Sequence, residues 1–401
     1  MNHLHVYSEI STLKRVVVHR PGNEIKNLTP AWLNELLFDD IPWLEKAQME
    51  HDMFVDRLKA EGVDVLYLTD LVVESLHNLT IKTSFIHQFI DESDIRHPKT
   101  RKKLFDYLKH MHTKDMVLQT MSGITKEQFK HYRKHSLKDY IKDYPFITAP
   151  MPNLYFTRDP FSVIHSSISL HHMHKEARQR EAIYGEYIFK YHPHYRQATH
   201  VYDRSLPFSL EGGDILLLSE HVIVIGLSER SEPDGVEMLA NHVFKYTNID
   251  TILAIDLPKK RSFMHLDTIL TQVDHSTFLI HHAFLKPLNI FEIRKTNQKD
   301  DLLIIEKQQT IAQAFSKQLE RNVTMLSCGG DSKISSDREQ WSDAANALAI
   351  RPGVVIVYER NVITNKLLQD HGIKTITIPA SELSRGRGGP RCMTMPFVRA
   401  S

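Results

Sequence analysis

The chain has 401 residues, 41 % of them apolar, which is enough for one large core or two smaller ones. Fifty basic residues stand against forty-nine acidic ones, a net charge of +1, so no strong field marks out nucleic acid, a membrane surface or an acidic protein as partner. Two cysteines, Cys328 and Cys392, without a CxxC pair exclude a disulfide framework. The N-terminus has no apolar signal core and no run is long enough to span a bilayer, so a soluble, cytoplasmic protein acting on a small molecule is expected.

In chain order, "LKRVVVHRPG" reads as a strand. Thr29 and Pro30 offer a helix cap and first turn, and Leu44, Ala47, Phe54, Val55 and Leu58 lie largely on one helical face that Gly62 ends. The β-rich "VDVLYL" follows. Four similar units succeed it. "NLYFTRDPFSVIHSSISL" reads as a hairpin, "KEARQREAIYGEYIFKYH" as a helix and "ATHVYD" as a strand. "GDILLLSEHVIVIGL" leads to "PDGVEMLANHVFKYT" and "DTILAI", then "LDTILTQVDHSTFLIH" to a helical "LLIIEKQQTIAQAFSKQLE" and "NVTMLS". Last, "GVVIVYE" leads to "RNVITNKLLQDHG" and "KTITI". A helix-then-strand ending thus recurs five times, compatible with a radial array of repeats or with a doubly wound α/β sheet.

From about Leu71 to Tyr144 the β-like runs give way to helices, which reads as an insertion. Within it, residues 97–143 carry twelve Lys/Arg against five Asp/Glu, interleaved with Phe105, Tyr107, Phe129, Tyr132 and Tyr140. A solvated helix face over an aromatic core side explains such a run better than nucleic-acid binding does.

Cys392 follows a Gly/Arg-rich run in "SRGRGGPRCMTMPF", where Arg385, Arg387 and Arg391 would favour thiolate over thiol; Cys328 in "SCGGD" reads as a small buried hydrophobe. In "MHLDT", His265 and Asp267 would share one face of a strand. Asp159 in "FTRDPF" and Glu211 in "LEGGDILLL" each precede an apolar run. Asp159, Glu211 and His265 sit near the starts of successive repeats and Cys392 closes the last, so a radial arrangement would gather three carboxylates, an imidazole and a thiol. That set suits a guanidinium, whose fork of N–H donors matches carboxylates. Arg178 and Arg230 follow Asp159 and Glu211 by the same interval of 19 residues and read as a carboxylate-binding pair or as surface arginines. The histidines at 171, 172, 174, 192, 194 and 200 show no fixed ligand spacing, and no metal site is expected of them.

With those residues in place, the chain resembles the arginine deiminase family through "SEISTLKRVVVHRPG", "LLFDDIPWLEKAQMEHDMF", "MPNLYFTRDPF", "EGGD", "GLSER", "FMHLDTILTQVD" and "RGRGGPRCMTMP". The resemblance implies a five-bladed α/β propeller (pentein) over residues 1–401 with a helical subdomain inserted at 71–148. It implies conversion of L-arginine to L-citrulline and ammonia, with Cys392 as nucleophile, His265 as acid/base and Glu211 as its carboxylate partner. Asp159 and Asp267 would hold the guanidinium; Asn153, Arg178, Arg230 and Arg387 would hold the amino-acid end, with Phe156 and Gly386 lining the pocket. No metal or cofactor, nucleic acid or membrane is implied, and a homo-oligomer is expected. An inactive member binding partners through its basic helices is the alternative. Two departures from the family pattern stand out: Glu232, which would weaken the grip of Arg230 on a substrate carboxylate, and Arg391 in place of a histidine, which would alter the thiol's protonation.

Overall fold

The computed structural model describes residues 3–129, 132, 134, 137, 140, 144–296 and 301–400. The later part of the basic run, at 130–131, 133, 135–136, 138–139 and 141–143, lies outside the described residues.

The strands in chain order are β1 (Leu13–Val18), β2 (Asp64–Tyr67), β3 (Ile124–Thr125), β4 (Phe146–Thr148), β5 (Phe161–Ile164), β6 (Ser167–Leu170) and β7 (Thr199–Tyr202). They continue with β8 (Ile215–Leu217), β9 (Val222–Leu227), β10 (Thr251–Asp256), β11 (Leu270–Gln272), β12 (Thr277–Ile280), β13 (Leu288–Lys295) and β14 (Leu302–Gln309). The last are β15 (Thr324–Ser327), β16 (Leu348–Arg351), β17 (Val354–Tyr358), β18 (Lys374–Ile378) and β19 (Met395–Arg399).

One pairing rule repeats in five groups: β19-β1-β2, β5-β6-β7, β8-β9-β10, β11-β12-β15 and β16-β17-β18. In each, the middle strand pairs antiparallel with the first and parallel with the third. A parallel neighbour needs a crossover, and a helix supplies it each time: Leu44–Ala60, Ala182–Tyr191, Pro233–Tyr246, Ile311–Leu319 and Val362–Asp370. Middle strands β9 "VIVIGL" and β17 "VVIVY" are buried along their whole length, as continuous β-branched runs require.

Three local readings need correction. "LLIIEKQQTIAQAFSKQLE" is not one helix. Its first half is β14, hairpinned to β13, which extends the β8-β9-β10 sheet; the helix starts only after Thr310, whose hydroxyl and Gln313 form a capping box. "LLII" reads equally well in either conformation, and the cap decides. Thr29 makes no side-chain cap, and Pro30–Trp32 is a single 3-10 turn; the helix proper begins at Leu44. "KEARQREAIYGEYIFKYH" splits into Glu176–Gln179 and Ala182–Tyr191.

Between β2 and β4 run the helices Leu68–Ser75, Leu79–Asp91, Pro98–Lys109 and Thr113–Ser122. Their apolar side chains, among them Phe85, Phe89, Leu104 and Met121, share one buried cluster with Tyr184, Tyr187 and Ile188 of the helix before β7. Tyr184 also donates to Thr120 Oγ1 at 3.1 Å. Among the described residues no helix is long and apolar enough to cross a membrane.

Candidate active site

The site is built from turns that immediately precede the first strand of a group. Asp159 lies before β5, Glu211 before β8, His265 and Asp267 before β11, and Cys392 before β19. "MHLDT" is a 3-10 turn, Leu266–Thr268, rather than a strand, so the two-residue spacing does not by itself put His265 and Asp267 on one side. They nonetheless meet the same cluster, because Asp214 fastens the turn: its Oδ1 accepts from Leu266 N at 2.8 Å, and its Oδ2 accepts from Ser228 and Ser231 hydroxyls at 2.6 and 2.7 Å. Burial raises the Asp214 pKa to about 7. The two glycines of "EGGD" let the turns touch. A Cβ on Gly212 would fall 2.0 Å from the Arg158 carbonyl, and one on Gly213 would fall 2.7 Å from the His265 ring.

His265 Nε2 lies 2.7 Å from Glu211 Oε2, and its Nδ1 lies 3.9 Å from Asp159 Oδ1, all fully enclosed. Burial alone would depress the imidazole; Asp159, Glu211 and Asp214 outweigh it and raise the pKa to about 9, so His265 is an imidazolium at neutral pH. Burial pushes the Glu211 carboxyl upward, but Arg230, His265 and Arg178 hold it well below the usual range.

The two aspartates are each half engaged. Arg178 Nη1 donates to Asp159 Oδ2 at 2.6 Å, and Arg391 Nη1 donates to Asp267 Oδ2 at 2.8 Å. Asp159 Oδ1 and Asp267 Oδ1 are buried without a hydrogen-bond partner. Cys392, 4 % exposed, directs its thiol at Asp267 Oδ2 over 3.4 Å. Burial, then Asp267, Asp159 and Asp343, push the thiol well above its ordinary pKa, with Arg391 opposing. The expectation that neighbouring arginines leave a thiolate is therefore corrected. Arg391 is committed to Glu9 (3.1 and 3.0 Å), Asp267 and the Ile215 carbonyl, and Arg385 pairs with Asp40 and Glu382. Carboxylates around a buried sulfur favour the neutral form.

A narrow pocket lined by Leu37, Asn153, Phe156, Arg178, Arg230 and Cys392, among others, leads to this cluster; its free volume is about 20 Å³, room for about one water molecule. Gly386 packs on Tyr155 and Phe156 at its rim. Arg178 is spent on Asp159, Glu181 (2.9 Å) and the Asn153 carbonyl. Arg230 is freer: buried, with Nη1 3.7 Å from Glu211 and neither Nε nor Nη1 hydrogen-bonded. Arg387, at φ +64°, lays its guanidinium 3.4 Å from the centroid of the Trp341 ring, with its three nitrogens buried and unpaired. Glu232 does not approach Arg230; its carboxylate accepts from Ser209 N at 2.6 Å and Ser209 Oγ at 2.9 Å.

Several neighbours were not singled out from the sequence: Glu9, Arg158, Asp214, Trp341, Asp343 and Asn346. Asn346 had a signal, since it stands two residues before β16, in the same place within its group as the other site residues. Glu9 stands within "SEISTLKRVVVHRPG" and Asp214 closes "EGGD", so both lie in stretches that carry the resemblance.

Asp159, Glu211 and His265 bring ligand atoms within 4.8 Å of one another, but Glu211 and His265 are hydrogen-bonded together and Arg178 and Arg230 flank them, which opposes a metal cation. A second such group, His281, His282 and Asp337, lies outside the pocket; His281 pairs with Asp337 at 3.4 Å and His282 with Ser336 at 2.9 Å. The expected histidines have other contacts. His171 meets the Asp159 carbonyl, His172 the Arg204 carbonyl and His174 the Ser209 hydroxyl, while His192 meets Glu74.

The fold is the mixed α/β fold of a known group of solved enzymes. A dimethylarginine dimethylaminohydrolase from Pseudomonas aeruginosa, solved with citrulline, superposes with a TM-score of 0.54 at 16 % identity, covering 96 % of this chain and 100 % of that one. An amidinotransferase from Microseira wollei gives 0.55 at 15 % identity, covering 100 % of this chain and 98 % of that one. Closer relatives narrow the class. The family description for arginine deiminase matches residues 34–399. The arginine deiminase of Clostridium perfringens is 46 % identical over 404 residues, and that of Streptococcus uberis 45 % over 403, each covering 99 % of this chain and 98 % of the relative. The chain belongs to the arginine deiminase family.

Proposed function

We propose that this enzyme hydrolyses L-arginine to L-citrulline and ammonia, the first step of a fermentative arginine catabolism. The observation that carries the reading is the pair of unpartnered carboxylate oxygens, Asp159 Oδ1 and Asp267 Oδ1, buried beside the only thiol of the pocket lining. A flat cation with a fork of N–H donors satisfies both at once and brings its electrophilic carbon to Cys392. Its charge also offsets the carboxylates that hold the thiol neutral, so the proton leaves to solvent as substrate binds.

The Cys392 sulfur then bonds to the guanidinium carbon, giving a tetrahedral adduct. His265, as imidazolium held by Glu211, gives its proton to the departing nitrogen; the C–N bond breaks, ammonia leaves and an S-alkylthiouronium remains on the enzyme. A water molecule gives one proton to the now neutral His265 while its oxygen bonds to the same carbon. Collapse breaks the C–S bond, and the proton left on the new hydroxyl passes to the departing sulfur, so citrulline leaves and the Cys392 thiol is restored. Arg230 holds the substrate carboxylate, Arg178 holds Asp159 in place, and Asn153 and Phe156 line the stem. An amino acid does not fit in the room for one water, so the segment bearing Gly386 and Arg387 shifts to admit it.

We read the five repeated strand groups as the blades of a propeller around this site, with residues 71–148 as an inserted helical subdomain. The recurrence of one pairing rule and the convergence of the pre-strand turns support that reading. The test of function is citrulline and ammonia measured side by side with arginine, agmatine and methylated arginine: turnover of arginine alone is expected, and none with arginine would overturn it.

A further inference from the structure

Four of the five strand groups place a charged or nucleophilic residue from the turn before their first strand into the site. The fifth, β16-β17-β18, places Asn346, which is 0 % exposed. Its amide is used completely on the side facing Cys392. The Cys392 main-chain N–H donates to Asn346 Oδ1 at 2.9 Å, Nδ2 donates to the Asp267 carbonyl at 3.0 Å, and Nδ2 also lies 3.1 Å from Cys392 Sγ. A main-chain N–H only donates and a main-chain carbonyl only accepts, so these two contacts fix which end of the amide is oxygen. The second Nδ2 hydrogen is left to point at sulfur. The thiol sends its own hydrogen to Asp267 Oδ2, so the sulfur accepts from Asn346 while it donates to Asp267.

The placement is tight. Arg391 N donates to the Asn346 carbonyl, and a Cβ on Gly389 would stand 2.8 Å from the Asn346 Cβ and carbonyl oxygen. The run before Cys392 is thus moulded onto Asn346.

We infer that Asn346 is a further catalytic residue, whose side-chain N–H receives the negative charge of the Cys392 sulfur and keeps it aimed at the guanidinium carbon. The inference rests on the reading of Cys392 as nucleophile. Three carboxylates, Asp267, Asp159 and Asp343, act against charge on this sulfur, and the charge of Arg391 is taken up by Glu9 and Asp267. Among the described residues, Asn346 Nδ2 is the N–H that reaches Sγ. An uncharged donor has a specific advantage here: a lysine or arginine so close to the sulfur would repel the substrate cation and compete for the two free aspartate oxygens.

The test uses the full chain with Asn346→Asp and Asn346→Ala. Aspartate keeps an oxygen for the Cys392 N–H and replaces the donor to sulfur with a second oxygen. The rate of iodoacetamide alkylation at Cys392, followed peptide by peptide against pH, is expected to move its midpoint upward by about one pH unit or more in Asn346→Asp, and by less in Asn346→Ala. Citrulline turnover falls on the order of 100-fold in both while KM for arginine changes little. If Asn346→Asp fails to fold, Asn346→Ala supplies the same profile. An unchanged alkylation midpoint, with loss confined to thermal stability or KM, would overturn the inference and leave Asn346 a structural anchor. Failure of the nucleophile reading shows separately, as wild-type turnover that survives complete alkylation of Cys392.

Discussion

Cys328 and Cys392 are both buried, both lie within three residues of paired glycines and both have thiols pushed up by burial, Cys328 to about 12. Their surroundings differ, although Cys328 too has polar neighbours, Thr364 hydrogen-bonded to its sulfur and Glu339 nearby. Cys328 sits in an apolar cluster with Val273, Leu279, Leu326 and Val355. Gly329 is required by packing, since a Cβ there would fall 2.4 Å from the Ser336 backbone, and Gly330 by its positive φ of 68°. Cys392 faces Asp267, Asn346 and, across the pocket, His265. Burial alone makes a thiol inert; reactivity comes from polar groups that treat its charged and neutral forms differently.

The sharpest way to break that contrast is Cys392→Ser, which should lower ammonia release by at least about 1,000-fold, whereas Cys328→Ser should leave it within about 2-fold. Comparable losses in both would erase the distinction. Glu211→Gln comes next. It removes one of the three charges that keep His265 protonated, so the alkaline limb of kcat/KM, expected near the His265 pKa of about 9, should move toward neutral pH with a loss of roughly 100-fold in rate. The same raised pKa acts on stability: its contribution is complete below the ordinary histidine value, is lost as pH rises from about 6.5 through about 9, and should vanish from thermal melts of His265→Ala. Arg230→Ala should raise KM for arginine by roughly 10- to 100-fold through a lost charge-assisted bond, and leave the inhibition constant of agmatine, which lacks the carboxylate, almost unaffected. The smallest effect is the stability cost of Cys328→Ser, about 1–3 kcal/mol for a hydroxyl placed among apolar side chains, read from denaturant melts.

The five charged or nucleophilic members of the site were legible because each belongs to a short motif and the repeats ordered those motifs alike. Asn346 fell to the same logic but was hidden by its neutrality: "AANAL" carries no charge or nucleophile to draw the eye. Glu9 and Asp214 act through other residues, by clamping Arg391 and the His265 turn; both lie in stretches that carry the resemblance, "SEISTLKRVVVHRPG" and "EGGD", but nothing local shows which distant group each one clamps. The β13–β14 hairpin was missed for a different reason. Its residues pair with each other and with β10, and a two-strand addition to an existing sheet is set by partners far away in sequence.

The pairing of β19 with β1, Met395–Arg399 against Leu13–Val17, joins the latest strand of the chain to its earliest. Synthesis from N- to C-terminus therefore lays down Asp159, Glu211, His265, Asp267 and Asn346 before the sulfur they surround, and leaves β1 without its antiparallel neighbour throughout. In the order of synthesis, the sulfur proposed to attack comes only a few residues before the strand that completes the first sheet.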